Sequence, residues 1–269
     1  MTTPDADPGS APGGLARRVA RVTLQFHPDW PYRDGLVIES MVHDGRYRSQ
    51  FETGTSNGGL TAHPGGDRFR WESRLFAGQY DSLPAHTRPV YGAWNRRGDL
   101  YGGSPRFGSA YFRLTPETAA WSTFCFPDSV HDPTEVGGEA ELPRLVQLAD
   151  QGGQDYLDDY IEAHVHRPVF FATHVEALVL DLCHRDGVVR EYAEQLGCPI
   201  EFHHGFRVDT AWLDRDYRGE EPVRLTQSLA RTLTPDRLAE AARSGKQDPQ
   251  TVKYAWHLLA RFGRKGSER

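Results

Sequence analysis

Apolar and polar residues alternate in a series of short runs along most of the chain. A period of two is typical of β-strands, and β-branched and aromatic residues dominate these runs. The pattern predicts strands over 19–26, 36–43, 46–53, 107–114, 121–126, 159–166, 168–172, 176–182 and 199–208. Asp44-Gly45 separates the second run from the third, which predicts a tight hairpin between them.

A helical period replaces the alternation in other segments. An apolar face recurs at 3.6-residue spacing over 67–78, 141–151 and 187–197. From about residue 220 the chain becomes helical, with segments over 223–233, 234–245 and 248–263. The last two begin with Thr-Pro and Asp-Pro and end in glycine, as capped helices do. The sequence predicts an α+β fold in which helices flank a mixed sheet.

Three parts follow from this pattern. Residues 1–14 have the composition of a disordered tail and lack the apolar segment of a secretory signal. Residues 15–218 form one large domain, and 219–269 form a helical extension. The sequence contains no apolar run of about 18 residues, the length that would predict a membrane span. We expect no membrane partner, and a protein that is cytoplasmic or delivered by a route independent of a signal peptide.

Charge and cysteine content indicate which partners and which cellular compartment fit the protein. The net charge is −6, which argues against a nucleic-acid partner. Cys125, Cys183 and Cys198 lie far apart, which fits a reducing compartment and three cysteines packed in the core. Nearly all basic residues are arginines, whose planar guanidinium groups suit phosphates and carboxylates.

An arginine-bearing run leads into a small polar loop at GRYRSQFETGTSNGG, residues 45–59. In a strand, Arg46 and Arg48 share one face. The glycines of the loop allow a ligand to approach the backbone, and its hydroxyl and amide groups can donate hydrogen bonds. The segment therefore predicts either a phosphate-binding pocket or a hairpin with a solvated face.

Two further polar residues lie within predicted strands. Ser109 begins an aromatic strand and needs a hydrogen-bond partner if it is buried, either a backbone group or a catalytic carboxylate. Glu162 shares a strand face with Tyr160, His164 and His166. That face is either a solvated edge or part of a site, since glutamate is uncommon in strands.

The order Arg48, Ser109, Glu162, each on a predicted strand, resembles the arginine–serine–glutamate signature of NAD-dependent ADP-ribosyltransferases. The wider sequence, over about 20–218, resembles the bacterial family DUF3626, a domain of unknown function. Some secreted bacterial effectors that ADP-ribosylate host ubiquitin are similar to this family. The segments that carry the resemblance are LQFHPD, DGRYRSQFETGTSNGGLTAHPGGDRFRWESRLFAG, RPVYGAWN, GGSPRFGSAYFRL, YIEAHVHRPV, VEALVLDL and EFHHGF.

The resemblance implies that 15–218 is a catalytic domain with the split sheet of ADP-ribosyltransferases, and that NAD is its substrate. Glu162 would bind the 2′-hydroxyl of the nicotinamide ribose and stabilise an oxocarbenium-like transition state, and Ser109 would orient Glu162. Arg48 would hold the pyrophosphate. His27 would fill that first position in a related branch. Backbone donors of the loop would assist, namely Thr55, Ser56, Asn57 and Gly58.

The class of ADP-ribose acceptor is indicated by places where this chain departs from the family pattern. Members that modify arginine carry a second acid two residues before the catalytic glutamate, and Tyr160 stands there in this chain. The resemblance therefore implies a protein acceptor other than arginine, such as a hydroxyl residue on ubiquitin or on a bacterial target. The serine is also followed by Ala110-Tyr111, where the fuller motif has Thr-Ser.

Two alternatives remain open on the sequence. A metal-dependent hydrolase could use histidine and aspartate ligands, although no HExxH motif is present. The candidate ligand pairs are His27 with Asp29, His164 with His166, and His203 with His204. A non-catalytic ligand-binding module would keep the pocket and leave Glu162 dispensable.

Overall fold

A large mixed β-sheet lies at the centre of the computed structural model, which describes residues 19–54 and 62–266. The described strands are β1 (Val22–Phe26), β2 (Pro31–Tyr32), β3 (Gly35–Leu36), β4 (Arg46–Tyr47), β5 (Val90–Trp94), β6 (Ala110–Leu114), β7 (Ser122–Cys125), β8 (Val136–Gly137), β9 (Ile161–Val165), β10 (Val169–Phe170), β11 (Val175–Leu180), β12 (Ile200–Phe202), β13 (Val208–Asp209) and β14 (Thr232–Leu233). The described α-helices are α1 (Val37–Asp44), α2 (Gln50–Thr53), α3 (Asp67–Leu75), α4 (Leu142–Gln151), α5 (Phe171–His174), α6 (Val188–Glu194), α7 (Arg215–Arg218), α8 (Glu220–Leu229), α9 (Pro235–Arg243) and α10 (Pro249–Phe262).

Eight strands form the main sheet in the order β12-β11-β6-β1-β5-β9-β7-β8. The β11–β12 pair is parallel, and the other neighbouring pairs in this sheet are antiparallel. Six further strands form two-stranded ribbons, β10 with β4, β13 with β14 and β2 with β3. The predicted α+β class with a mixed sheet and flanking helices is confirmed. No described helix has the length and apolar character needed to cross a membrane.

The two faces of the sheet differ in chemistry. One face is apolar and packs against α1, α4 and α6 through buried residues such as Leu24, Phe112 and Ile161. The register of the strands places Thr123, His164 and neighbouring polar side chains together on the opposite face. Since β9 is buried along its whole length, its polar residues are not the solvated edge that the sequence left open.

The C-terminal helices pack against the rest of the chain through a second hydrophobic cluster. Tyr101, Leu157 and Phe206 share this cluster with α8 and α10. Trp256 of α10 donates its indole N–H to the carbonyl of Arg106 at 3.0 Å. The helical character predicted for 219–269 is present, although Thr232–Leu233 forms a short strand where a helix was predicted.

The predicted strand over 36–43 is wrong, because this segment forms helix α1. Ile38, Met41 and Val42 have the three- and four-residue spacing of a helix face, and all three contact the main core. Gly45 ends the helix in the left-handed conformation, with φ 64°, and its amide donates to the Met41 carbonyl. The Asp44-Gly45 pair is therefore a helix C-cap and not a hairpin turn.

The predicted strand over 46–53 is also largely wrong. Arg46–Tyr47 is extended and pairs with β10, after which Ser49 caps the helical turn α2. The hydroxyl of Ser49 accepts from the amide of Glu52, whose carboxylate accepts from the amide of Ser49. Because the chain turns after Tyr47, the two arginines do not share a strand face.

Strand β5 was not predicted, although it lies at the centre of the sheet. Gly92 interrupts its apolar pattern, and glycine is disfavoured within strands. A Cβ at this position would lie 2.4 Å from the carbonyl oxygen of Thr23. The close approach of β1 therefore requires glycine at position 92. The same glycine interrupts the pattern from which a strand would have been predicted.

We predict that Gly108→Ala destabilises the fold. A Cβ on Gly108 would lie 2.1 Å from backbone atoms of Phe26, which cannot move without disturbing β1. We expect a loss of about 1–3 kcal/mol or more in the free energy of unfolding, measured by urea denaturation. Gly138→Ala is the matched control, because its Cβ would meet no described atom within 4 Å. Equal stability of the two variants would contradict the packing described for Gly108.

Candidate active site

A cavity of about 280 Å³ opens beside the central strands of the sheet. Strands β1 and β5 pair only at Val22–Trp94 and Thr23–Ala93, and residues beyond this point line the cavity. His27 follows β1 into the cavity wall, and Glu162 reaches the cavity from β9. Helix α1 and the segment around Arg48 form another wall.

Glu162 is the buried carboxylate of this cavity, with 6% of its surface exposed. It lies opposite Ala93 on β5 and Cys125 on β7. His164 Nε2 lies 2.8 Å from Glu162 Oε1. Burial opposes ionisation, but the hydrogen bond from His164 holds the pKa of Glu162 below its usual value. The site therefore holds a carboxylate that is ionised at neutral pH.

Arg46 and Arg48 both reach the cavity, each paired with a carboxylate. Arg48 forms an ion pair with Asp44, which also lines the cavity, and Arg46 forms one with Glu52. The side chain of Arg48 is 28% exposed, so it is open to a ligand. Arg46 lies on the short strand β4 and Arg48 follows it, so the predicted shared strand face is wrong, yet both arginines line one cavity.

His27 lies deeper in the same cavity wall. Its ring stacks on Trp30 with centroids 4.0 Å apart and meets the edge of Trp256 at 4.6 Å. Burial, with a smaller effect from His184, lowers the pKa of His27 to about 3. His27 is therefore neutral at physiological pH and offers hydrogen bonds but no positive charge.

Ser109 does not lie beside Glu162. It immediately precedes β6, and β1 and β5 lie between β6 and β9 in the sheet. Its side chain is buried, and its hydroxyl has no hydrogen-bond partner in the described part of the chain. Its backbone carbonyl accepts a hydrogen bond of 2.8 Å from His203. The other predicted cofactor-binding residues, Thr55, Ser56, Asn57 and Gly58, lie outside the described residues.

Arg68 was missed by the sequence analysis. It lies on α3, is 6% exposed and lines the cavity. Its guanidinium lies 4.7 Å from the ring centroid of Tyr91, and its Nε has no hydrogen-bond partner within 19–54 and 62–266. A charged residue on an amphipathic helix predicts a solvated position, so the sequence carried no signal for this burial.

Aromatic residues occupy several positions around the cavity. Phe107 and Tyr160 line it and meet edge to face at 5.5 Å. Tyr111 donates its hydroxyl to the carbonyl of Leu100 and does not line the cavity. Tyr160 donates its hydroxyl to the carboxylate of Asp128. The cavity thus combines one buried carboxylate, guanidinium groups and aromatic rings.

Three buried side chains that can bind metal ions cluster around Glu162. The ligand atoms of Cys125, Glu162 and His164 all lie within 4.8 Å of one another, the single such group among the described residues. Cysteine, carboxylate and imidazole are zinc ligands. Burial, reinforced by Glu162, raises the pKa of the Cys125 thiol far above its usual range, so metal binding would have to displace this proton.

The other histidine pairs do not form such a cluster. His27 and Asp29 line two different cavities. His164 and His166 both contact the hydroxyl of Thr123. His203 hydrogen-bonds backbone groups of Ser109 and Gly205.

A buried aspartate at a second cavity, of about 340 Å³, predicts that the stability of the fold depends on pH. Burial raises the pKa of Asp29, which lines this cavity, from 3.8 to about 7. Between these two values the folded state binds more protons than the unfolded state, so stability falls as the pH rises from about 4 to about 7. We expect Asp29→Asn to raise the free energy of unfolding at pH 8 by up to about 4 kcal/mol and to leave it unchanged at pH 4.

Urea unfolding at both pH values measures this effect. Asp67→Asn is the control, because the side chain of this aspartate is 58% exposed and lines neither cavity. A pH profile of Asp29→Asn that parallels the wild-type profile would contradict the raised pKa of Asp29.

A family model described as "Protein of unknown function (DUF3626)" matches residues 21–149 and 139–262. These two matches cover the main sheet, the cavity and the C-terminal helices. No curated protein matches the chain.

Proposed function

The chain belongs to the DUF3626 family, and we propose that it is an NAD-dependent mono-ADP-ribosyltransferase that cleaves NAD to nicotinamide and transfers ADP-ribose to a protein acceptor. The observation that carries this proposal is Glu162, a buried carboxylate of lowered pKa in a cavity that also contains arginines and aromatic rings. The cavity lies where β1 and β5 cease to pair, which supports a split sheet of the ADP-ribosyltransferase type.

Cleavage of the bond between ribose and nicotinamide places positive charge on the ribose ring. A fixed carboxylate stabilises this charge most strongly in the transition state, which is the requirement for catalysis. Glu162 meets the requirement because it is ionised, buried and fixed by His164. In a water-poor cavity the attraction is stronger than in solution. Since β1 and β5 separate Ser109 from Glu162, the proposal gives the orienting role to His164.

The negative phosphates of NAD require cations at the other end of the ligand. Arg48 is the exposed candidate and Arg68 the buried one, and both line the cavity. His27 is neutral, so it suits a ribose hydroxyl better than a phosphate. Phe107 is the cavity aromatic proposed to stack on the nicotinamide ring.

The acceptor is proposed to be a hydroxyl on a protein, such as ubiquitin or a bacterial target. In the position of the second acid of arginine-modifying enzymes stands Tyr160, whose hydroxyl is held by Asp128. Burial, with the nearby carboxylate of Asp128, raises the pKa of Tyr160 well above its usual value, so it cannot act as a base at neutral pH. A guanidinium acceptor would therefore find no second carboxylate at this position.

We predict that Arg48→Ala weakens NAD binding. Loss of one charge-assisted contact to phosphate should raise the KM for NAD by about ten- to a hundredfold, with a smaller change in kcat. Arg190→Ala is the matched control, because Arg190 forms an i,i+4 ion pair with Glu194 as Arg48 does with Asp44, but lies outside the cavity. An unchanged KM in Arg48→Ala would remove Arg48 from the binding site.

The proposal is tested by incubating purified protein with NAD, with and without cell lysate, and measuring free nicotinamide and ADP-ribosylated protein. Release of nicotinamide with label transfer to protein supports a transferase, and release without transfer supports a glycohydrolase. If neither release nor NAD binding is detected, the proposal fails.

Metal-dependent hydrolysis is the second candidate, favoured by the cluster of Cys125, Glu162 and His164. A metal held by these three side chains would activate water. Elemental analysis of purified protein distinguishes the candidates. Stoichiometric zinc that is lost in Cys125→Ser would favour the hydrolase.

A further inference from the structure

A continuous series of hydrogen bonds connects Tyr80 to Glu162. The hydroxyl of Tyr80 lies 2.6 Å from His166 Nδ1. His166 Nε2 lies 2.9 Å from Thr123 Oγ1, which lies 3.1 Å from His164 Nδ1. His164 Nε2 lies 2.8 Å from Glu162 Oε1. All four distances lie within the hydrogen-bonding range. We call Tyr80, His166, Thr123 and His164 the relay.

The sheet itself places the members of the relay in line. Thr123 of β7 lies opposite His164 of β9, so their side chains share one face. Glu162 and His166 lie two residues before and after His164, which directs them to the same face. His164 is fully buried, whereas His166 and Thr123 are half-buried.

The chemistry of the groups gives the relay one direction. An ionised Glu162 can only accept, so His164 Nε2 must carry the proton. With one proton on each imidazole, His164 Nδ1 then accepts from Thr123, and Thr123 accepts from His166 Nε2. His166 Nδ1 is left to accept from Tyr80. Every member therefore donates one hydrogen bond toward Glu162 and, except Tyr80 at the start, accepts one.

The relay is covered by an aromatic ring. Phe76 meets the rings of His164 and His166 edge to face at 5.2 and 5.1 Å, and that of Tyr80 at 5.5 Å. Tyr91 also packs edge to face against His164, with the two ring centroids 5.0 Å apart. Shielding from water strengthens hydrogen bonds and makes an unpaired member costly. Both effects favour a single arrangement of protons.

We propose that Thr123, His166 and Tyr80 are positioning residues that act through His164, holding its ring where Nε2–H donates to Glu162. None of the three touches the reacting atoms. The catalytic consequence rests on the function proposed above, whereas the positioning of His164 does not. The carboxylate of Glu162 sets the His164 tautomer, and the Thr123 hydroxyl supplies the donor for the other ring nitrogen. Without that hydroxyl the buried Nδ1 of His164 has no donor, so the ring is no longer fixed in the orientation that serves Glu162.

The test uses Thr123→Val, which removes the hydroxyl and keeps the shape of the side chain. ¹⁵N NMR of the imidazoles reads the tautomers and the hydrogen bonding of the ring nitrogens. In the wild type we expect His164 and His166 both as the Nε2–H form at pH 7.5, with His164 Nδ1 at the shift of a hydrogen-bonded nitrogen. In Thr123→Val we expect His164 Nδ1 to move to the shift of a nitrogen without a donor. We expect kcat for nicotinamide release to fall about tenfold, with KM for NAD changed less than twofold.

Two variants serve as controls. Thr123→Ser restores the hydroxyl and should restore both the Nδ1 shift and kcat, which a merely structural role of the threonine methyl group would not explain. Thr118→Val removes a buried threonine hydroxyl that bonds the Thr115 carbonyl, and should change neither readout.

The outcomes separate the relay from the proposed function. A wild-type His164 that is not the Nε2–H form overturns the relay whatever the activity, and so does a His164 Nδ1 shift that is unchanged in Thr123→Val. The expected NMR result with unchanged kcat in Thr123→Val overturns the positioning role. The expected NMR result in a protein that neither binds nor cleaves NAD supports the relay as the device that fixes Glu162 and overturns only the NAD chemistry.

Discussion

Glu162→Gln is expected to lower kcat for nicotinamide release by about 10²–10³-fold while NAD still binds. Glutamine keeps the size of the side chain but lacks the negative charge that would stabilise an oxocarbenium-like ribose. Since the ribose carries positive charge only in the transition state, KM should change little. Steady-state kinetics with NAD, together with calorimetric titration of NAD, measures both quantities.

Glu176→Gln is the matched control, a glutamate on β11 of the same sheet that pairs with Arg21 and Arg113 outside the cavity. It should leave kcat unchanged. Equal turnover by Glu162→Gln and wild type would show that Glu162 has no catalytic role.

Arg88→Met is expected to produce the largest loss of stability, about 3–5 kcal/mol. Arg88 and Glu72 form an ion pair in which the two side chains are 4% and 0% exposed. Arg88 also donates to the carbonyl of Tyr80 at 2.8 Å and lies 4.2 Å from the ring centroid of Phe51. Its removal would leave the Glu72 carboxylate buried without its cation. Urea unfolding at pH 7.5 measures the loss.

The double variant Arg88→Met/Glu72→Met tests this reason. Replacing both charges removes the unpaired carboxylate, so most of the lost stability should return, although the Tyr91 hydroxyl loses its 3.0 Å contact to Glu72. A double variant less stable than Arg88→Met would contradict the explanation. A loss below about 1 kcal/mol in Arg88→Met would show that the pair is not buried as described.

Strand alternation was sufficient to identify most of the main sheet and to place Glu162 on a strand, because side-chain direction follows from the period of two. The same logic failed at 36–43, where an eight-residue apolar segment fits a helix and a strand. The Asp44-Gly45 pair did not decide between them, since glycine with positive φ ends helices as well as forming hairpins. Packing of Ile38 against the core decided the outcome.

The candidate site was only partly predictable. Arg48, His27 and Glu162 line one cavity, as the resemblance implied, although Arg48 reaches it from a turn and not from a strand. Ser109 was assigned to the site from its position along the chain. The order of the strands across the sheet decides which side chains meet, and that order is set by long-range pairing that local patterns do not carry.

The hydrogen bonds around Glu162 could not be predicted from the sequence for another reason. His164 and His166 were recognised as sharing a face with Glu162, which predicted a polar strand but not its partners. Thr123 is 41 residues from His164 and bonds it only because β7 pairs with β9 in one register. A shift of that register by one residue would place Thr123 on the other face.

The most direct test of the proposed function is nicotinamide release from NAD by the purified wild-type protein, with cell lysate as a source of acceptors. We expect saturable NAD binding and catalytic release of nicotinamide that is lost in Glu162→Gln. The absence of both NAD binding and nicotinamide release, from protein shown to be folded, would contradict the proposed function.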